Sequence, residues 1–215
     1  MEVTTGTTMN ILNQCIHNID ILQWLCGVPI SVQGFCGFGK YHDIEVEDEA
    51  TAYFQYANGA TGVFTGSTGE APGVNRLDIV GDKGMLSFDG DRLLHTENTP
   101  GTAQFNRETR DMFGQPEKAT TDITPPDGPN QHALLIENFV DAILKGTQLI
   151  APAADGIHSL AIANAILWSA WLGNTISLPL DSSGYQRALD EKISNSTLRK
   201  KSDIEVNVDM GDSYR

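Results

Sequence analysis

The order of the hydrophobic patterns predicts an α+β fold: a large, mostly antiparallel open sheet with helices packed on one face. Three observations carry this expectation. A helix-period stretch opens the chain, a series of period-two runs follows, and helix-period stretches close it, without the strand–helix–strand alternation that builds a parallel sheet. Asn58-Gly59 stands between two of the period-two runs, which is the strongest short hairpin signal. Pro125-Pro126-Asp127-Gly128-Pro129 then breaks the chain between the strands and the later helices. The 215 residues are ample for a sizeable core and are read as a single domain over 1–215, with 195–215 as a tail or an edge strand.

Asn10 to Gly27, NILNQCIHNIDILQWLCG, reads as the first helix, ended by Gly27 and Pro29. At about 100° per residue, Asn13, His17, Asp20 and Trp24 fall on one narrow stripe. Leu12, Ile16 and Ile19 flank it on one side; Ile11, Cys15, Leu22, Leu25 and Cys26 lie on another. A helix this apolar is normally buried, and buried polar groups are costly unless satisfied. Spacing alone leaves two readings of the stripe. It is either a hydrogen-bonded core network or the lining of a substrate cleft with His17 as proton donor and acceptor. The polar, threonine-rich stretch from Met1 to Thr8 offers no folded unit, and so loaded a helix this near the start suggests a preceding region.

Period-two runs follow: Ile30 to Phe38, Ala50 to Tyr56, Ala60 to Thr65, Arg76 to Val80, Met85 to Phe88 and Arg92 to Thr96. Tyr41 to Glu49 reads as a solvated acidic connection, and Thr99 to Thr121 as loop with one or two edge strands. Asn130 caps a helix to Lys145, a second runs from about Gly156 to Leu172, Ile176 to Leu180 is extended, and Tyr185 to Ile193 is a last helix. From Ser194 the chain reads as a solvated tail, although Ile204, Val206 and Val208 alternate as an edge strand would.

Lysine plus arginine total 14 against 28 acidic residues, a net charge of −14, which argues against a nucleic-acid partner. Cys15, Cys26 and Cys36 are odd in number and lack CxxC spacing, so neither a disulfide framework nor a zinc site is expected. No apolar run is long enough to span a bilayer and no signal peptide opens the sequence, leaving the cytoplasm as the default location. His17 is the best single candidate for proton transfer, with Asn13 placed to hydrogen-bond a hydroxyl and Asp20 to orient the ring or a backbone amide. His132 begins the Asn130 helix and either faces the same cleft or stays exposed; His42 and His95 have no partner in sequence. No metal ligands are assigned, because Asp43, Glu45, Glu47, Asp48 and Glu49 lack the calcium-loop spacing. No cofactor-binding residues are assigned either, since Gly34, Gly37 and Gly39 lie in a strand and its exit with no helix after them.

The stretch LNQCIHNIDILQWLCGVP resembles the helix that opens the carboxy-terminal domain of the glucose–fructose oxidoreductase / inositol dehydrogenase (Gfo/Idh/MocA) family. ANGATGVFTGS, LDIVGDKGMLSFDGD, HALLIENFVDAILKG and DGIHSLAIANAILWSAWLGNTISLPL resemble later parts of that domain, in order, from about Gly6 to Leu180. The resemblance implies a substrate-binding domain whose open sheet face packs against other subunits, in two-domain oxidoreductases that act mostly on sugars and cyclitols. It implies NAD or NADP in the full-length protein, held by a nucleotide-binding domain missing from this chain, so that none is expected bound to this chain alone. It places the family's histidine on His17, acting on the proton of the substrate hydroxyl, and completes an HxxD pattern with Asp20. Many members carry aspartate where Asn13 stands, and an amide orients a hydroxyl without relaying a proton. A related branch cleaves glycosidic bonds with NAD, and a binding or assembly module that has lost the chemistry is the non-enzymatic alternative.

Overall fold

A computed structural model describes residues 10–126, 128 and 130–197 of the chain. They divide into two compact units, one formed by residues up to Glu70 and from Ala151 onward, the other by Ala71–Ile150. The architecture is α+β, and its strands divide between two four-stranded antiparallel sheets, one in each unit. The alternation at 204–208 lies outside the described residues.

In the first unit, β1 (Ser31–Phe38), β2 (Glu47–Gln55) and β3 (Thr61–Ser67) form a meander, and the two-residue β8 (Ile176–Ser177) pairs with Ser31 and Val32, giving the order β3-β2-β1-β8. The β2–β3 hairpin turns at Asn58-Gly59 as expected: Gly59 takes φ +84° and the Asn58 side chain accepts the Ala60 amide at 3.0 Å. Val32, Ala50, Ala52 and Phe54 point to one face and are fully or almost fully buried. Against them packs α4 (Gly156–Leu172), through Ile162, Ala163, Ile166 and Leu167. Each large aliphatic or aromatic group so buried contributes about 1.5–3 kcal/mol.

The sheet and α4 approach closely at one point. A Cβ on Gly34 would run into the carbonyl oxygen of Ile166, so glycine is required there. Because β8 is so short, the Gly34 amide finds its partner in α4 instead: it donates to Ser169 Oγ at 2.8 Å, and that hydroxyl donates to the Asn174 carbonyl at 2.6 Å. The last helix, α5 (Ser182–Ser194), is capped by Asp181, which accepts the Gly184 amide at 3.0 Å. Its Tyr185 stacks on Trp171 of α4 with centroids 5.7 Å apart.

In the second unit, β4 (Leu77–Gly81), β5 (Gly84–Phe88), β6 (Leu93–Thr99) and β7 (Glu117–Asp122) are joined in chain order. The stretch read as loop from Thr99 contains a helix, α2 (Thr102–Glu108), as well as the edge strand β7. That helix has no cap of its own; Asp82, in the β4–β5 turn, takes the Thr102 amide on its carbonyl at 2.8 Å and the Ala103 amide on Oδ1 at 2.6 Å. The next helix, α3 (Gln131–Lys145), begins on Asn130, whose Oδ1 accepts the amides of His132 and Ala133, and ends on Gly146 at φ +71°.

Candidate functional site

The first helix is in two parts: a π-helical turn, Asn10–Gln14, followed by α1 (Ile16–Cys26), which closes with the Gly27 amide on the Gln23 carbonyl at 2.8 Å. Its apolar side is set by Ile11 and Ile19, both 0% exposed and part of the first unit's core. Leu12, Ile16 and Leu22 pack partly buried beside them. Anchoring that side turns Asn13, His17, Asp20 and Trp24 outward, and all four are exposed. The core-network reading of the stripe is thereby excluded, and the helix is not buried all round, since Ile21, Leu25 and Cys26 are exposed too.

The structure brings Asn13, His17 and Asp20 together on this one face. Asp20 Oδ1 accepts from Gln23 Nε2 at 3.2 Å, so it is tied to the next turn rather than to the imidazole. The His17 ring makes no hydrogen bond to another described residue, which leaves both nitrogens to meet a ligand. Trp24, 79% exposed, extends the face with a flat apolar surface. His132 belongs to the other unit, where it is exposed in the first turn of α3.

Two acidic residues support this helix and its surroundings in ways the sequence reading missed. Glu47 and Asp48, assigned there to a solvated loop, begin β2 and are 1% and 0% exposed. Continuing the inward series Phe54, Ala52, Ala50 by two more residues reaches Asp48, so its burial had a signal. Glu47 had none, because a β-bulge shifts the register between Gly37 and Phe38 and sets Glu47 opposite Phe38.

Asp48 accepts the backbone amides of Lys40, Tyr41 and His42 at 3.0, 2.6 and 3.0 Å, and His42 Nδ1 stands 3.3 Å away, so His42 does have a partner. Burial pushes the Asp48 carboxyl up, but these four donors more than offset it and hold the group below its ordinary range. Glu47 Oε1 accepts the Ile11 amide at 3.0 Å, at the start of the π-helical turn. There burial outweighs the hydrogen bonds, and the carboxyl is raised. Burial, and Glu47 nearby, push the thiols of Cys15 and Cys36 up to about 11 and about 12, which rules them out as nucleophiles near neutral pH.

Chemically, the face offers an exposed imidazole for proton exchange, an amide and a carboxylate within a turn of it, and an aromatic surface. Among the described residues, no three His, Cys, Asp or Glu side chains converge as a metal site would require. The glycines that might cradle a phosphate are occupied with packing, Gly34 against Ile166 and Gly39 against the Ile44 carbonyl.

Residues 4–87 match the model of the GFO/IDH/MocA C-terminal domain. The chain is 26% identical over 168 residues to inositol 2-dehydrogenase of Rhizobium meliloti, covering 76% of this chain and 48% of that protein. Among solved structures, the WlbA dehydrogenase from Chromobacterium violaceum, in complex with NADH and UDP-GlcNAcA, superposes with a TM-score of 0.60 at 27% identity, over 79% of this chain and 46% of that one. UDP-N-acetylglucosamine 3-dehydrogenase GnnA from Acidithiobacillus ferrooxidans shares the fold, with a TM-score of 0.61 at 19% identity over 80% of this chain and 53% of that one. The chain spans about half the length of the curated relatives it matches, 46% and 48%. The stripe carrying His17 lies within the region matched to the GFO/IDH/MocA C-terminal domain.

Proposed function

We propose that this chain is the substrate-binding and oligomerisation part of an NAD(P)-dependent oxidoreductase acting on a hydroxyl of a sugar or cyclitol. The observation that carries the reading is the outward-facing stripe of Asn13, His17 and Asp20 inside the region matched to the family. The relationship to inositol 2-dehydrogenase and the likeness to a dehydrogenase holding NADH and a sugar nucleotide support the substrate class.

In this reading His17 takes the proton of the reacting hydroxyl, or returns it in the reverse direction, as the hydride moves to or from nicotinamide. Asn13 orients a hydroxyl by donating and accepting, and Asp20, tied to Gln23, holds the face in shape. The described residues do not fit a dinucleotide, having no glycine-rich turn from a strand into a helix, so the cofactor is held by a nucleotide-binding domain outside these residues.

Oligomerisation uses the sheet face opposite α4, where Phe35 is 64% and Val63 70% exposed, with Tyr53 between them on β2. A cytoplasmic setting fits three cysteines that form no disulfide with one another.

The test is His17→Ala in the enzyme that contains this chain with its nucleotide-binding domain. Loss of a general acid–base group lowers turnover about 10²–10⁴-fold while substrate still binds. Near-normal turnover would remove His17 from the chemistry.

A further inference from the structure

Glu47 is a buried carboxylate for which proton exchange at the stripe has no direct use. The groups facing it are Cys15 at the junction of the π-helical turn and α1, Cys36 of β1, Tyr185 of α5 and its neighbour Asp48; none of them is a cation. A carboxylate in such surroundings needs hydrogen-bond donors, and it takes the Ile11 amide at 3.0 Å from 36 residues away. Helix starts leave their first amides without intrahelical partners, and Ile11 is 0% exposed, so water does not substitute for Glu47 there.

A second restraint acts on the same turn. Cys15 sits so close over β3 that a Cβ on Gly66 would lie 2.6 Å from its sulfur. The two contacts hold the turn at both ends, and His17 lies within two helical turns of Ile11. The bulge at Gly37/Phe38 is what aims Glu47 at this amide, a re-aiming that bulges near functional sites commonly perform. π-Helical turns likewise recur at such sites.

We propose that Glu47 is a positioning residue for His17: by holding the buried Ile11 amide it fixes where the π-helical turn begins, and so where the imidazole stands on the exposed face. Its catalytic consequence rests on the reading of His17 given above. The restraint itself is geometric and is tested without turnover, so its failure removes Glu47 alone, whereas His17 stands or falls by the turnover experiment.

The experiment is NMR on the 215-residue chain. In the wild type, the Ile11 amide proton is expected to move downfield as Glu47 ionises, with a midpoint above the ordinary 4.5; in Glu47→Gln that movement disappears. In Glu47→Ala, exchange of the amides of residues 11–15 is expected to speed up at least tenfold and the His17 ring signals to shift, while the Ala52 and Phe54 amides of β2 keep their protection. Glu47→Gln, which keeps an acceptor, should retain most of the slow exchange. An Ile11 amide indifferent to pH in the wild type overturns the proposal. So does a Glu47→Ala chain with intact β2 protection, unchanged exchange at Ile11 and unmoved His17 signals. Should Glu47→Ala fail to fold, the comparison of wild type with Glu47→Gln decides.

Discussion

Ser169→Ala removes one oxygen from the interior of the first unit, and the cost can be worked from the bonds that oxygen makes. It is fully buried, accepts the Gly34 amide at 2.8 Å and donates to the Asn174 carbonyl at 2.6 Å. Alanine fits the same space, so no cavity arises, and the effect is that of two orphaned polar groups. Gly34 is buried against Ile166, and its amide has no water to turn to; such a donor costs about 1–3 kcal/mol. Asn174 is exposed, so its carbonyl is rehydrated and loses at most about 1 kcal/mol. The sum is about 1–4 kcal/mol, or a urea midpoint lower by about 0.5–2 M at an m-value of about 2 kcal/mol/M. Ser159→Ala is the control: Ser159 is also buried, but its hydroxyl bonds only to the Gly156 carbonyl of its own helix, and its removal should stay within about 0.5 kcal/mol. Urea unfolding of both variants, followed by tryptophan fluorescence, makes the comparison. A Ser169→Ala cost no larger than that of Ser159→Ala would refute the argument that α4 satisfies the strand where β8 runs out.

Other outcomes follow from the same structure. Glu47 has a raised native carboxyl, so its contribution is fully present below the ordinary value of 4.5 and is lost as pH rises through the raised value. Wild-type stability should therefore fall relative to Glu47→Gln as pH rises above 4.5 and level off once pH has passed the raised value; a gap that is constant or widens the other way contradicts the burial argument. Calorimetry with NAD and NADP on the chain alone should show no tight binding, and a micromolar dissociation constant would place a cofactor site within it. Phe35→Asp combined with Val63→Asp places charge on the exposed sheet face and should lower the mass found by light scattering; an unchanged mass would put the subunit interface elsewhere.

The parts of the fold that were legible in the sequence are those decided by neighbours along the chain. The Asn58-Gly59 hairpin, the Asn130 cap and the Gly156–Leu172 helix each rest on residues within a turn or two of one another. What escaped was decided at a distance. Helix α2 takes its cap from Asp82 in the β4–β5 turn, two strands earlier, and Pro100, Gly101, Gly114 and Pro116 around it read as loop. Glu47 looks solvated in an acidic run and is set by the bulge, whereas Asp48 continues the inward alternation of β2 but takes its partners from the connection after β1. The exposed stripe was half legible: its spacing was in the sequence, but whether it met core or solvent depended on Ile11 and Ile19 anchoring the opposite side. The π-helical turn at Asn10–Gln14 has no local sequence signal, since nothing in NILNQ departs from an ordinary helix.

The connection after β1 has a wider meaning. Three successive amides, those of Lys40, Tyr41 and His42, converge on one point, the geometry by which a backbone ordinarily captures a phosphate or sulfate from solution. Here the captured anion is Asp48, covalently part of the next strand. The connection is thus a receptor already loaded with its own ligand, at an effective concentration no free ion can match. Its shape is therefore inherited from β2, and any change in where that strand begins is felt at once by the loop that precedes it.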